Sequence, residues 1–228
     1  MSIAATDRAR FEALALEGEV GVALSSGEEL GTIRGGVAWS TIKVPLALAV
    51  AAREPTALDE ELIELALTVS DNVAAYTLWE RLGPPEVAGA AVQDVLVSAG
   101  DTTTRIETRV RRAGFTPFGQ TQWTLAAQAQ LMEALPELPH SAGVRDCMRG
   151  VVPEQRWGLG VLGDDVELKG GWGPDPDGRH LVRQMGIVGT HAVALAAAPR
   201  DGSVESGTAM LDRLAEWFGE SLAARPRP

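Results

Sequence analysis

Residues 35–50 read GGVAWSTIKVPLALAV, a glycine pair followed by a serine, a lysine and an uninterrupted apolar run. The apolar run predicts a buried helix that begins near Ser40 and is broken by Pro55. Ser40 and Lys43 are three residues apart, a spacing that places two side chains on one face of a helix. We therefore expect the Lys43 amine to reach the Ser40 hydroxyl.

These two side chains have the chemistry of a nucleophile and its base. A serine hydroxyl is a weak nucleophile until a base removes its proton. Burial lowers the pKa of a lysine, and the neutral amine can then act as this base. The motif alone also fits a serine that caps a helix beside a solvated lysine. Two motifs further along the chain favour the catalytic interpretation.

The second motif is Ser70-Asp71-Asn72, which separates helices predicted over residues 58–69 and 73–82. A serine at this corner can carry a proton to a leaving group, and an amide can bind a substrate carbonyl. All three residue types also suit a helix N-cap, which is the alternative interpretation.

The third motif is Lys169-Gly170-Gly171-Trp172, at a strand predicted over residues 166–171. Two glycines weaken a strand unless something must approach its backbone closely. A substrate that lies beside this strand would explain them, with Lys169 supplying positive charge. A bulge or a tight bend is the alternative explanation.

The order of the predicted elements indicates a mixed α/β (α+β) fold. A helix and two strands are followed by a nearly all-helical stretch, and three strands and a helix come last. We therefore expect a sheet subdomain of residues 1–39 and 150–228, with an all-helical subdomain of residues 40–149 inserted into it. The sheet should be mainly antiparallel and flanked by helices.

Composition excludes several classes of function. The net charge of −11 argues against nucleic acid or an anionic membrane as a partner. No run reaches about 18 apolar residues, so we expect no membrane span. One cysteine and three scattered histidines predict neither a metal site nor a cofactor. A GxGxxG pattern at residues 158–163 precedes a strand instead of a helix, so we interpret it as a loop.

The first residues lack the features of a secretory signal. We therefore expect a cytoplasmic protein, unless the chain is a processed form of an exported cell-envelope protein.

In this order and spacing, the three motifs resemble the signature of the penicillin-recognising serine enzymes, which include class A β-lactamases, D,D-peptidases and transpeptidases. The predicted sheet–helices–sheet order is similar as well, so the resemblance covers most of the chain. It implies a β-lactamase/transpeptidase-like fold. It also implies a β-lactam or a D-Ala-D-Ala-like peptidoglycan peptide as the substrate.

The resemblance implies a role for each side chain of the motifs. Ser40 would be the acylated nucleophile, and Lys43 would be its base. Ser70 would relay a proton to the departing nitrogen, and Asn72 would hold the substrate amide. Lys169 would supply positive potential beside Ser70.

The strand of the third motif would bind the substrate through Gly170, Gly171 and Trp172. The backbone N–H of Trp172 would form an oxyanion hole with that of Ser40. Gly170 departs from the family, which has threonine or serine here, with a hydroxyl that helps to bind a substrate carboxylate. We expect Arg183, or alternatively Arg179, to bind this carboxylate instead.

Two further departures concern turnover. In class A enzymes a loop carries the deacylating glutamate, and here Val110 lies near the matching place while Glu107 is three residues away. We expect Glu107 to pair with a neighbouring arginine of the loop 105–112. Ser70 follows Ser40 by only 30 positions, so the helical segment between these two motifs is short. A short segment covers less of one side of the cleft, and we expect the cleft to be more open than in the family. We therefore expect slow deacylation, without efficient β-lactamase activity.

These observations favour a serine acyl-transfer hydrolase that is acylated at Ser40. Gly170 and the open cleft also suit a non-catalytic binding protein that keeps the scaffold. A small-ester esterase is a third interpretation, which fits the lack of a signal sequence.

Overall fold

The computed structural model of the protein describes residues 3–224. Its α-helices are α1 (Ala5–Glu12), α2 (Lys43–Ala51), α3 (Ala57–Thr68), α4 (Asn72–Leu82), α5 (Pro85–Ser98), α6 (Leu125–Ala134), α7 (Ser141–Arg149) and α8 (Val204–Ala223). Its strands are β1 (Gly18–Leu24), β2 (Glu29–Gly31), β3 (Gly35–Val37), β4 (Gln122–Thr124), β5 (Glu167–Pro174), β6 (His180–Val188) and β7 (His191–Pro199). No helix within this range is both long and apolar enough to cross a membrane.

Five strands form one antiparallel sheet in the order β2-β1-β7-β6-β5. They come from both ends of the chain, and the segment between them is mainly helical, so the predicted α+β fold with an antiparallel sheet is confirmed. β5, which carries the third motif, is an edge strand of this sheet. One side of its backbone therefore faces away from the other strands.

Two hydrophobic layers cover the two faces of the sheet. Along β7, Ala194 and Ala196 belong to the layer formed with α2 to α7, whereas Val193 and Leu195 belong to the layer formed with α8. This alternation follows from the two-residue period of a strand. The first layer runs without a break from the helices into the sheet. The division into two subdomains stays a prediction.

The start of the buried helix differs from the prediction. Residues Trp39–Ile42 form a 3-10 turn, and the α-helix begins only at Lys43. Every residue of α2 is buried, which explains its apolar sequence. A short pair of strands that we did not predict, β3 with β4, precedes the turn. The N–H of Ala38 continues this pairing by donating to the Thr121 carbonyl at 2.8 Å.

Arg183 on β6 fastens the sheet to the β3–β4 pair from inside the protein. Its side chain is fully buried, and the guanidinium donates to the carbonyls of Gly36 at 2.9 Å, Val37 at 3.1 Å and Trp123 at 3.1 Å. It also donates to the amide oxygen of Gln128. Burial lowers the pKa of Arg183 to about 9, so the group still carries its charge at neutral pH.

Replacing Arg183 by methionine should lower the free energy of unfolding by about 3 kcal/mol, because several buried acceptors lose their donor. Urea denaturation measures this change. The matched control is Arg179→Met, which removes an exposed arginine just before β6 and should change stability by less than about 0.5 kcal/mol. If the Arg183→Met protein were as stable as the wild type, the fastening role would be excluded.

Candidate active site

Lys43, in the first turn of α2, reaches the corner between α3 and α4. Its Nζ donates to the Ser70 carbonyl at 2.6 Å, to Asn72 Oδ1 at 2.8 Å and to Ser70 Oγ at 3.3 Å. The side chain is only 2% exposed. The first and second motifs therefore meet through the Lys43 ammonium group.

Lys169 reaches the same serine from β5. Its Nζ donates to Ser70 Oγ at 2.8 Å and to the Gly170 carbonyl at 3.1 Å, and the side chain is fully buried. The Ser70 oxygen thus accepts hydrogen bonds from two lysines. Since a hydroxyl has a single proton and two lone pairs, the Ser70 proton is left to be donated to a third group.

The surroundings of both lysines favour loss of a proton. Burial lowers the pKa of Lys43 to about 8, against the opposing effect of the Asp71 charge. Burial, and then the charge of Lys43, bring the pKa of Lys169 well below its ordinary value. Two ammonium groups that share one hydroxyl cannot both keep their protons easily. Both amines therefore lose a proton at lower pH than an ordinary lysine does.

β5 passes directly against the turn that contains Ser40. A Cβ atom on Gly171 would lie 2.7 Å from the backbone nitrogen of Ser40 and 2.9 Å from that of Thr41. Such contacts are too short for any residue other than glycine. The sequence analysis attributed this glycine to a substrate beside the strand, whereas in the structure the backbone of the Ser40 turn makes the close approach. The third motif therefore joins the other two.

The predicted contact between Ser40 and Lys43 is different in the structure. Ser40 is half-buried, and its hydroxyl forms no hydrogen bond with any residue between 3 and 224. The reason is twofold: Ser40 lies in a 3-10 turn, and the Lys43 ammonium is drawn to Ser70 and Asn72. In unliganded enzymes catalytic hydrogen bonds are often incomplete, so this geometry is compatible with proton transfer once a substrate is bound.

Two residues in or next to the motifs have left-handed backbone conformations. Trp39, which precedes Ser40, has φ 50°, and Ser70 has φ 57°. The Trp39 ring is held by its neighbours: a Cβ atom on Gly173 would lie 2.5 Å from it, and the Phe115 ring centroid is 5.2 Å away. Packing of an indole against β5 thus fixes the residue that orients Ser40.

Trp157, which the sequence analysis did not single out, fills the space left by the missing side chain of Gly170. A Cβ atom on Gly170 would lie 2.5 Å from Cη2 and 2.7 Å from Cζ2 of this indole. The only sequence signal was indirect, since a glycine in place of threonine or serine requires something else to occupy the space. The ring also meets Trp172 edge to face, with centroids 6.0 Å apart.

The expected substrate-binding role of Arg183 does not fit the structure, because its guanidinium is buried among protein oxygens. The alternative, Arg179, is exposed in the β5–β6 hairpin, and its guanidinium donates to the Arg200 carbonyl at 3.5 Å. Gly171 pairs with Arg183 in the sheet, so the hairpin lies about four residues, or about 13 Å, further along. Arg183 is thus close to the Ser40 turn but buried, whereas Arg179 is exposed but lies further along the sheet.

Glu107 pairs with an arginine, as predicted. Its carboxylate accepts hydrogen bonds from the N–H of Arg109 at 2.8 Å and from Arg111 Nε at 2.5 Å. Burial raises the pKa of Glu107, but these bonds outweigh burial and the net shift is downward. The same loop is tied to β5, because Arg112 donates to the carbonyls of Pro174 and Asp175. Both oxygens of Glu107 are therefore engaged within its own loop.

A protein-family model matches part of the chain. The model described as the beta-lactamase enzyme family (Beta-lactamase2) matches residues 54–196, more than half of the chain. The matched segment contains the second and third motifs and begins after Ser40 and Lys43. No curated protein matches the chain.

Solved class A β-lactamases share the fold. The structure of the ancestral (GNCA) class A β-lactamase, which represents the last common ancestor of the Gram-negative bacterial enzymes, has a TM-score of 0.71 at 20% identity, covering 94% of this chain and 99% of that one. For the Sphaerobacter thermophilus β-lactamase the TM-score is 0.69 at 18% identity, and the coverage is 98% of both chains. A mutant of the chromosome-encoded Vibrio parahaemolyticus enzyme has a TM-score of 0.68 at 15% identity, with coverages of 94% and 99%.

Identities this low support the architecture only, whereas the family model spans most of the chain and two of the three motifs. The protein therefore belongs to the beta-lactamase enzyme family, as a β-lactamase-like serine hydrolase.

Proposed function

We propose that the protein is a serine acyl-transfer hydrolase that forms an acyl-enzyme at Ser40. The observation that carries the proposal is the meeting of Lys43 and Lys169 on one hydroxyl, Ser70 Oγ, beside the Ser40 turn. Burying two amines around a single serine lowers the stability of the fold, because both groups lose water. They suit an enzyme that must take a proton and return it.

Acylation begins with attack of Ser40 Oγ on the substrate carbonyl carbon, while the neutral amine of Lys43 accepts the hydroxyl proton. The carbonyl oxygen becomes negative, and the backbone N–H groups of Ser40 and Trp172 are the proposed donors to it. The close packing of Gly171 on the Ser40 turn supports this pairing, because it brings the two backbones together.

The leaving group then departs with a proton from Ser70. The bond between the carbonyl carbon and the leaving nitrogen or oxygen breaks, and the Ser70 hydroxyl protonates that atom. Ser70 recovers a proton from the Lys43 ammonium, so the base returns to its neutral form. The hydrogen bonds that already join Lys43 and Lys169 to Ser70 support this relay.

Hydrolysis of the acyl-enzyme should be slow. A water molecule must be activated for this step, and the carboxylate of the matching loop, Glu107, is engaged by Arg109 and Arg111. A carboxylate whose pKa is lowered by such bonds is also a weak base. We therefore propose that the acyl-enzyme accumulates.

Two classes of acyl donor are consistent with this site. The first is a β-lactam or a D-Ala-D-Ala-like peptide, as the motifs imply. The second is a small ester, which is favoured by the indole of Trp157 in the place of a carboxylate-binding hydroxyl and by the burial of Arg183. A non-catalytic binding protein, the remaining alternative, would form no covalent adduct with either class.

Intact-mass spectrometry should detect a stable covalent adduct after the protein is incubated with a penicillin or with 4-nitrophenyl acetate. The mass should rise by one acyl group, and the adduct should outlast removal of the free reagent. Ser40→Ala should abolish it, and Lys43→Ala should slow its formation about 10²- to 10⁴-fold. Ser98→Ala, which changes an exposed serine of α5, is the control. An adduct that survives Ser40→Ala would refute the proposal.

The acylation rate should rise with pH and level off above the pKa of Lys43. The base is the neutral amine, whose fraction grows from about 1% at pH 6 to about half at pH 8 for a pKa of about 8. Stopped-flow release of 4-nitrophenol between pH 6 and 10 measures the profile.

The variant Asp71→Asn tests the assignment of this profile. It removes the charge that raises the pKa of Lys43. Asparagine can still cap α4, because its side-chain oxygen can accept the hydrogen bond that the Ala74 N–H donates to Asp71. The midpoint should therefore move to lower pH. An unchanged midpoint would show that a group other than Lys43 controls the rate.

A further inference from the structure

We propose that Trp157 and Trp172 form a subsite, called here the indole pair, that binds an uncharged aromatic leaving group on the acyl donor. The inference rests on the acyl-enzyme at Ser40 proposed above and names the substrate class more closely. Its basis is the combination of two indoles at the edge strand with cations that are turned away from it.

Trp172 belongs to β5, and Trp157 packs on this strand from the segment that precedes it. Gly171 touches the Ser40 backbone, and the two indoles occupy the positions on either side of it: Trp157 stands over Gly170, and Trp172 follows Gly171. Gly170 and Trp172 point to the face of β5 opposite Gly171, so the two rings border the free edge of the strand on its other face. We place the leaving group along this free edge, where it meets the rings.

Trp157 is held firmly in place. The side-chain amide of Gln184 donates to the Trp157 carbonyl at 2.7 Å, and the Gln184 oxygen accepts from the Leu159 N–H at 2.6 Å. Gln184 is fully buried and pairs with Gly170 across the sheet. The position of the indole is therefore set before a ligand arrives, which reduces the entropy lost on binding.

The rings are arranged to receive another ring. Their planes meet at 73°, the edge-to-face geometry of aromatic pairs, and the Trp172 side is 36% exposed. An aromatic leaving group can stack on the exposed indole. A large exposed aromatic residue beside a nucleophile is otherwise unexplained, since Trp172 is absent from both hydrophobic layers.

The cations near β5 are not available to a carboxylate. Lys169 is fully buried on Ser70 and the Gly170 carbonyl, and Arg183 is fully buried beneath the sheet edge. Arg112 is bound to the carbonyls at the far end of β5. A carboxylate placed against the indole pair would lose water without gaining a partner, which is unfavourable.

With an aryl ester, the bond between the acyl carbon and the aryl oxygen breaks as the bond to Ser40 Oγ forms. The Ser40 proton passes through Lys43 and Ser70 to the aryl oxygen, and the product is a neutral phenol. Water then hydrolyses the acyl-enzyme to a carboxylic acid, so the sequence needs no further reagent.

The test compares 4-nitrophenyl acetate with 3-carboxy-4-nitrophenyl acetate by stopped-flow. Both reagents give the same acetyl-enzyme, so any difference in rate belongs to the leaving group. The wild type should be acylated by the neutral ester at least about tenfold faster. Trp157→Leu and Trp172→Leu should each reduce acylation by the neutral ester about tenfold, the effect of one lost aromatic contact.

Two further variants complete the design. The double variant Trp157→Gly/Gly170→Thr clears the indole and restores a hydroxyl, so it should shift the preference toward the carboxylated ester. Phe11→Leu removes an aromatic ring that packs on Trp217, away from β5, and should leave the preference unchanged. Since Trp172 is partly exposed, Trp172→Leu should fold even if the Trp157 variants do not.

The outcomes separate this inference from the proposed function. An adduct at Ser40 without a preference between the esters, or with a preference for the carboxylated one, overturns the indole pair and leaves the acyl-enzyme intact. The absence of any adduct with either ester overturns both.

Discussion

The organisation of the molecule depends on two lysine side chains that are removed from water and share one serine oxygen. Neither amine would be stable alone in an apolar interior. Each is tolerated because Ser70, Asn72 and backbone carbonyls accept hydrogen bonds from it. This requires three separate elements, α2, the α3–α4 corner and β5, to meet within hydrogen-bond distance. The two hydrophobic layers around the sheet provide the packing that holds them there.

Much of this arrangement could be predicted from the sequence, because the information was local. Serine, aspartate and asparagine between two helical patterns mark a corner, and two glycines in a strand mark a close approach. The features that were not predicted depend on tertiary contacts or on very short elements. A 3-10 turn and an α-helix have similar sequence patterns, so the turn at Ser40 was missed. β3 and β4 have three residues each, too few for a periodic pattern.

Two side chains changed the interpretation of the site: Trp157 was not predicted to belong to it, and Arg183 was assigned the wrong role. In both cases the role depends on tertiary contacts that the sequence does not reveal. Nothing in its own neighbourhood distinguishes Trp157, whose meaning comes from Gly170, 13 residues later and part of another element. Arg183 was expected to bind a substrate carboxylate, since it follows the third motif along the chain. Here its hydrogen bonds to four protein oxygens allow burial, so a charge that would serve ligand binding in the cleft serves the fold instead.

The left-handed conformations of Trp39 and Ser70 have a thermodynamic consequence. A residue other than glycine held in this region costs of order 1–3 kcal/mol, whereas a domain is stabilised by only about 5–15 kcal/mol in total. These two positions therefore consume a sizeable share of the margin against unfolding. Sequence changes that let either backbone relax would make the protein more heat-resistant and would displace Ser40 or Ser70 from the positions that the proposed acyl transfer requires. Durability and reactivity are in opposition at these two positions.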